Sequence, residues 1–230
     1  MKKFVTFLLG CLAFCPAFTQ NYKPRETWPF LYESFQPGVS RSLDGTLTTD
    51  ILFNVAVQDG ALMFVGEDEM IMRADMSRIY TARIGDDTFV NVMGCLYKVL
   101  SEVGGCALVL GTEINVDELN KVNIGYGISS STASAQGLVN ILGGRFDVGG
   151  VSFAQSEQNK LSGKELPVKE TFYFRIGMQL VPANRSEVLK TPGVDKKAAN
   201  AFFKQEKIKW RDPASLEKVL AFLDEQINKK

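Results

Sequence analysis

Chemistry in this 230-residue chain has to be built without histidine, because it contains none. That removes Ser-His-Asp and Cys-His nucleophile pairs, and with them any His-ligated zinc or haem. Carboxylate, Lys, Tyr and Ser-Lys chemistry remain. Two acid clusters come first, Glu67-Asp68-Glu69 and Asp86-Asp87. A glycosidase needs two carboxyl groups about 5–10 Å apart across a cleft, one of them with a raised pKa. Both clusters fall at turn signals, where acids are ordinarily solvated, and are read as turn and solubility residues. A calcium loop alternates Asp/Asn ligands and ends in Glu, and Asp68 belongs to no such pattern.

Three weaker motifs follow. Ser215-Leu216-Glu217-Lys218 has the Ser-x-x-Lys spelling of penicillin-interacting enzymes, but no Ser-Asp-Asn or Lys-Thr-Gly element accompanies it. Gly125-Tyr126-Gly127 lacks the third glycine of a nucleotide loop. Lys196, Lys197, Lys204, Lys207, Lys209 and Arg211 surround Phe202, Phe203 and Trp210. Basic residues interleaved with aromatics can signal nucleic acid. Here the aromatics fall on the apolar side of a helix, so the lysines read as its solvated side. No catalytic residue, cofactor or metal ligand is assigned. The one candidate ligand surface is the aromatic lead-in, with Trp28, Phe30 and Tyr32 as a carbohydrate-stacking platform; core-edge packing is the competing reading.

The elements that must position these groups are mostly β. Between 43 and 116, runs of four to seven β-prone residues are separated by Asp44-Gly45, Asp59-Gly60, Gly85-Asp86-Asp87, Gly94 and Gly104-Gly105. Turns this close leave no room for crossover helices, so neighbours pair antiparallel. A meander closing as a barrel or a sandwich is expected. Pro24, Pro29 and Pro37 make residues 20–50 irregular or an edge. Residues 117–128 are ambiguous between a helical turn and a strand, the Ser/Ala-rich stretch near 129–136 reads as a mobile loop, and Thr171 to Val181 reads as one strand. Asp195 caps a helix carrying Ala198, Ala199, Phe202 and Phe203 on one face. Asp212-Pro213 opens a second, with Leu216, Val219, Leu220, Leu223 and Ile227 at helical spacing. The organisation expected is a β domain over 20–190 and a helical pair over 191–230 packed on it.

Residues 1–19 have the layout of a secretory signal: Lys2-Lys3, an apolar run from Phe4 to Phe14, then Ala17 and Thr19 at the −3 and −1 positions of a cut before Gln20. Leu8-Leu9-Gly10-Cys11 spells a lipobox that would place a lipid anchor on Cys11. The short run before Cys11 and the apolar Leu12-Ala13-Phe14 after it disfavour that anchor. Losing Lys2 and Lys3 takes the 26 basic residues to 24 against 26 acidic ones, a near balance with no long-range pull on nucleic acid or anionic lipid. No later apolar stretch reaches the roughly 20 residues of a spanning helix. A membrane barrel is disfavoured by short strands and by the charged helix ending Asn228-Lys229-Lys230. Cys95 and Cys106 fall at opposite ends of one hairpin, too far apart for a bridge that tolerates about 7 Å between Cα atoms, and read as free thiols.

A resemblance adds to this reading. Gln20-Asn21 after the signal, Phe35-Gln36-Pro37-Gly38 before an Asp-Gly turn, the Asn54-centred strand, Ile79 to Phe89, and Phe202-Phe203-Lys204 with Ile208-Lys209 resemble uncharacterised secreted proteins of Bacteroidota. The resemblance implies an envelope location and brings no catalytic residues. The function expected is non-enzymatic binding or assembly with an envelope protein or glycan, without nucleic acid. A carboxylate-based hydrolase acting on glycans is the alternative.

Overall fold

The computed structural model describes residues 30–67, 69–114 and 168–228. The signal peptide, Trp28, Asp68, Gly125-Tyr126-Gly127, the 117–128 ambiguity and the loop near 129–136 lie outside them. The described residues form ten strands, β1 (Gln36–Ser42), β2 (Leu47–Val55), β3 (Leu62–Val65), β4 (Ile71–Arg73), β5 (Ile79–Ile84), β6 (Asp87–Val92), β7 (Cys95–Val103), β8 (Cys106–Ile114), β9 (Val168–Ile176) and β10 (Gln179–Pro182). Three helices follow: α1 (Arg185–Val188), α2 (Lys196–Gln205) and α3 (Pro213–Asn228).

All the pairings are antiparallel, in one sheet ordered β10-β9-β8-β7-β6-β5-β1-β2-β3-β4. Among the described residues the sheet is not closed, with β4 and β10 at its two edges, so the barrel expectation finds no support. It is nonetheless strongly curled. In sheet order β7 stands four strands from β2, or about 19 Å at ordinary strand spacing. Yet Leu96 N–H on β7 donates to the Gly60 carbonyl in the β2–β3 turn at 2.9 Å. The main core fills this curl, with Phe53, Val55 and Leu62 against Ala82, Ile84, Phe89 and Leu96.

Three expectations are corrected. Residues 36–42 are not an edge: β1 pairs with both β2 and β5. Pro37 is tolerated because the β5 ladder begins only at Gly38, so its missing N–H falls beyond that neighbour. The 171–181 run is a hairpin. Gly177, at φ +59, takes the first central position of a two-residue turn between Ile176 and Gln179, where a primed turn requires positive φ. Strands between 43 and 116 also run longer than expected, with β2, β7 and β8 each reaching nine residues.

The C-terminal segment follows its sequence pattern. The Asp195 carboxylate accepts from Lys197 N–H at 2.8 Å and Ala198 N–H at 3.3 Å, satisfying donors that the first helical turn leaves orphaned. Pro213 begins α3, and Leu216, Val219, Leu220 and Leu223 are fully buried against β7 and β8. Each such side chain contributes about 1.5–3 kcal/mol of burial. They share a second core with Cys106, Leu108, Phe174, Ala199 and Phe203. A short unexpected helix, α1, starts before residue 191, capped by the Asn184 side chain on Glu187 N–H. Among the described residues no helix is long and apolar enough to cross a membrane.

Candidate functional site

Where the lead-in joins the sheet, the β1–β2 ladder is interrupted. Gln36 still pairs with Phe53, but the next bridge back is Phe30 to Ala56, with Leu31 N–H donating to the Val55 carbonyl at 2.8 Å, so residues 32–35 leave the β1–β2 ladder. Asn54, 0% exposed, fills the gap. Its Oδ1 accepts from Tyr32 N–H at 3.0 Å and Val55 N–H at 2.9 Å, while Nδ2 donates to the Tyr32 carbonyl at 2.9 Å. The amide thus takes the place of a strand partner for Tyr32, as buried backbone groups require.

Pinned in this way, the Tyr32 ring packs edge-on to Phe89, centroids 6.4 Å apart. Its hydroxyl donates to Asp87 Oδ2 at 2.6 Å. The other oxygen, Oδ1, pairs with Lys98 Nζ at 2.8 Å. The ladder explains the meeting: Phe89 stands opposite Lys98, so Asp87, two residues back on β6, shares its face as a diagonal neighbour. Leu110 stands opposite Lys98, and two residues on Thr112 stands opposite Glu170. These groups line a hollow of about 80 Å³, floored by Leu31, Val55, Phe89 and Leu96. A second hollow, about 140 Å³, lies under the β2–β3 turn, among Asp59, Gly60, Cys95, Tyr97, Glu113 and Tyr173. Ligand pockets usually span about 300–1,000 Å³, so each holds at most a small group.

Neither hollow presents an idle catalytic pair. Asp87 has both oxygens engaged, and Glu170 is exposed. Asp59 holds Arg73 at 2.5 Å. Glu67, Glu69 and Asp86 are exposed as expected, whereas Asp87 is the first residue of β6 and is not a solvated turn acid. The Ser215 hydroxyl accepts from Lys209 N–H at 2.9 Å, and Lys218 Nζ reaches Glu206 at 2.8 Å, so the Ser-x-x-Lys pair is spent on structure. Cys95 and Cys106 are free, and burial pushes both thiols up from their ordinary value, away from the reactive thiolate. Among the described residues no group of His, Cys, Asp or Glu could hold a metal.

The described part of the aromatic lead-in, from Phe30 on, faces inward. Phe30 is 8% exposed and packs edge-on to Phe35, and Tyr32 is 6% exposed, so neither ring offers a stacking face. What Tyr32 brings to the hollow is its hydroxyl. Lys98, Thr112 and Glu170 escaped the sequence reading, and Asp87 was read there only as a turn acid, because their meeting depends on strand register across β6 to β9. No protein-family model matches this chain, and neither a curated protein nor a solved structure matches it.

Proposed function

We propose that this is an exported envelope protein, periplasmic or associated with the outer membrane, that acts by binding a partner protein or glycan rather than by catalysis. Export runs through residues 1–19 with a cut before Gln20; acylation at Cys11 is the competing route. The curled sheet then serves as a sandwich-like scaffold, with β2 and β3 laid over β5 to β7. The observation that carries the reading is the state of Asp87. It is the half-buried acid of the Tyr32 hollow, and both its oxygens are committed to Tyr32 and Lys98.

The test is cell fractionation with mass measurement of the recovered chain, followed by native pulldown from envelopes. A chain beginning at Gln20 in the envelope or periplasm, co-purifying with a stoichiometric protein or glycan, supports the reading. An intact Met1 terminus in the cytoplasm overturns it. A glycan hydrolase is the second reading, favoured by Asp87 and Glu170 lining the same hollow.

A further inference from the structure

Most described cations of the β domain have an acidic partner: Arg73, Arg78, Lys98, Lys169 and Arg175 each pair with Asp or Glu. The turn joining α2 to α3 differs. Lys204, Lys207, Lys209 and Arg211 are all exposed, and among the described residues none of their side chains makes an ion pair or hydrogen bond. Of the two acids in the turn, Glu206 is taken by Lys218, and Asp212 stands beside Arg211 at the start of α3, which leaves the cations in excess. The turn alternates. Ile208 and Trp210 point into the helical core, where Trp210 meets Phe203 edge-on at 5.1 Å, which directs residues 207, 209 and 211 outward.

The turn is also fixed. Ile208 N–H donates to the Phe203 carbonyl at 3.2 Å, Lys209 N–H to Ser215 Oγ at 2.9 Å, and Asp212 N–H to the Lys209 carbonyl at 3.1 Å. Four cations in eight residues, on a backbone already ordered by the helices, need little further ordering to meet a negatively charged plane.

We infer that the α2–α3 turn is a contact surface for an anionic lipid bilayer, with Lys204, Lys207, Lys209 and Arg211 meeting headgroup phosphates. The balanced charge of the whole chain does not oppose this. Screening at physiological salt limits interactions to about 8 Å, so the bilayer meets the local cations and not the total. A lipid plane fits better than a nucleic acid groove because Ile208 and Trp210 are turned inward, leaving no aromatic platform for bases. The inference rests on the export reading only for which membrane is met. Contact with vesicles and location in the cell therefore fail separately.

The experiment compares the full chain with its Lys207→Gln/Lys209→Gln/Arg211→Gln variant, binding to phosphatidylglycerol-containing and to pure phosphatidylcholine vesicles at low and high salt. Residues 4–14 contribute equally to both proteins, so the readout is the preference for anionic over neutral vesicles. Each cation near the surface is worth about fivefold. The variant loses on the order of a hundredfold of that preference, and high salt erases it in the wild type. An unchanged thermal midpoint shows that the exposed changes leave the fold intact. Equal binding to both vesicle types by the wild type, or an undiminished preference in the variant, overturns the inference. Binding to heparin without binding to anionic vesicles replaces the lipid with a soluble polyanion and overturns it equally.

Discussion

Replacing Asn54 by alanine tests how the lead-in is held on the sheet. The change removes one acceptor shared by Tyr32 N–H and Val55 N–H and one donor to the Tyr32 carbonyl. A buried backbone group deprived of its partner costs about 1–3 kcal/mol. Three such groups, with partial relaxation, give a loss of about 3–5 kcal/mol, a large share of the roughly 5–15 kcal/mol that holds a domain together. At a urea slope of about 2 kcal/mol/M the midpoint falls by roughly 2 M, with the slope unchanged. Asn54→Asp refines the test. It keeps the acceptor but sets a carboxylate against the Tyr32 carbonyl. Burial then raises the new carboxyl's folded pKa above its unfolded value of about 3.9. The variant is therefore least stable near neutrality and recovers as the pH falls through the raised pKa, where the protonated oxygen can donate. An Asn54→Ala unfolding free energy within about 0.5 kcal/mol of wild type would show that Tyr32 does not depend on this amide.

Three further outcomes are expected. Leu220→Ala, at a fully buried α3 position, costs about 2–5 kcal/mol in chemical denaturation. Gly104 has φ +54, and a Cβ there would fall on the Asp224 carboxylate, so Gly104→Ala costs about 1–3 kcal/mol, partly recovered in an Asp224→Ala background. Burial raises Cys95 and Cys106 above the ordinary 9.0 and Tyr97 above 10.0. Their contribution is complete below the unfolded pKa values and lost as pH rises through the folded ones. Denaturation midpoints therefore decline above about pH 9, and iodoacetamide labels both thiols slowly until denaturant is added.

Local features were legible in the sequence. The hairpin turns announce themselves through residues suited to positive φ, and α2 and α3 through a capping Asp, an Asp-Pro start and an apolar stripe. The features that failed depend on distant partners. Pro37 argues against a central strand until the β5 ladder is seen to begin one residue later. Gly177 looks like an ordinary strand residue until the register shows two-residue spacing around it. Asp87 reads as a turn acid because Tyr32, its hydroxyl partner, lies 55 residues away. Asn54 was visible as the centre of a strand, but its work follows from a bulge that local pattern does not encode.

The most direct measurement is turnover of a panel of envelope polysaccharides by the wild type, Asp87→Asn and Glu170→Gln proteins, followed by reducing-end formation alongside glycan binding. A binding protein releases no product in any of the three and retains its ligand in both variants. Product formed by the wild type and abolished by either substitution would make the Tyr32 hollow an active site.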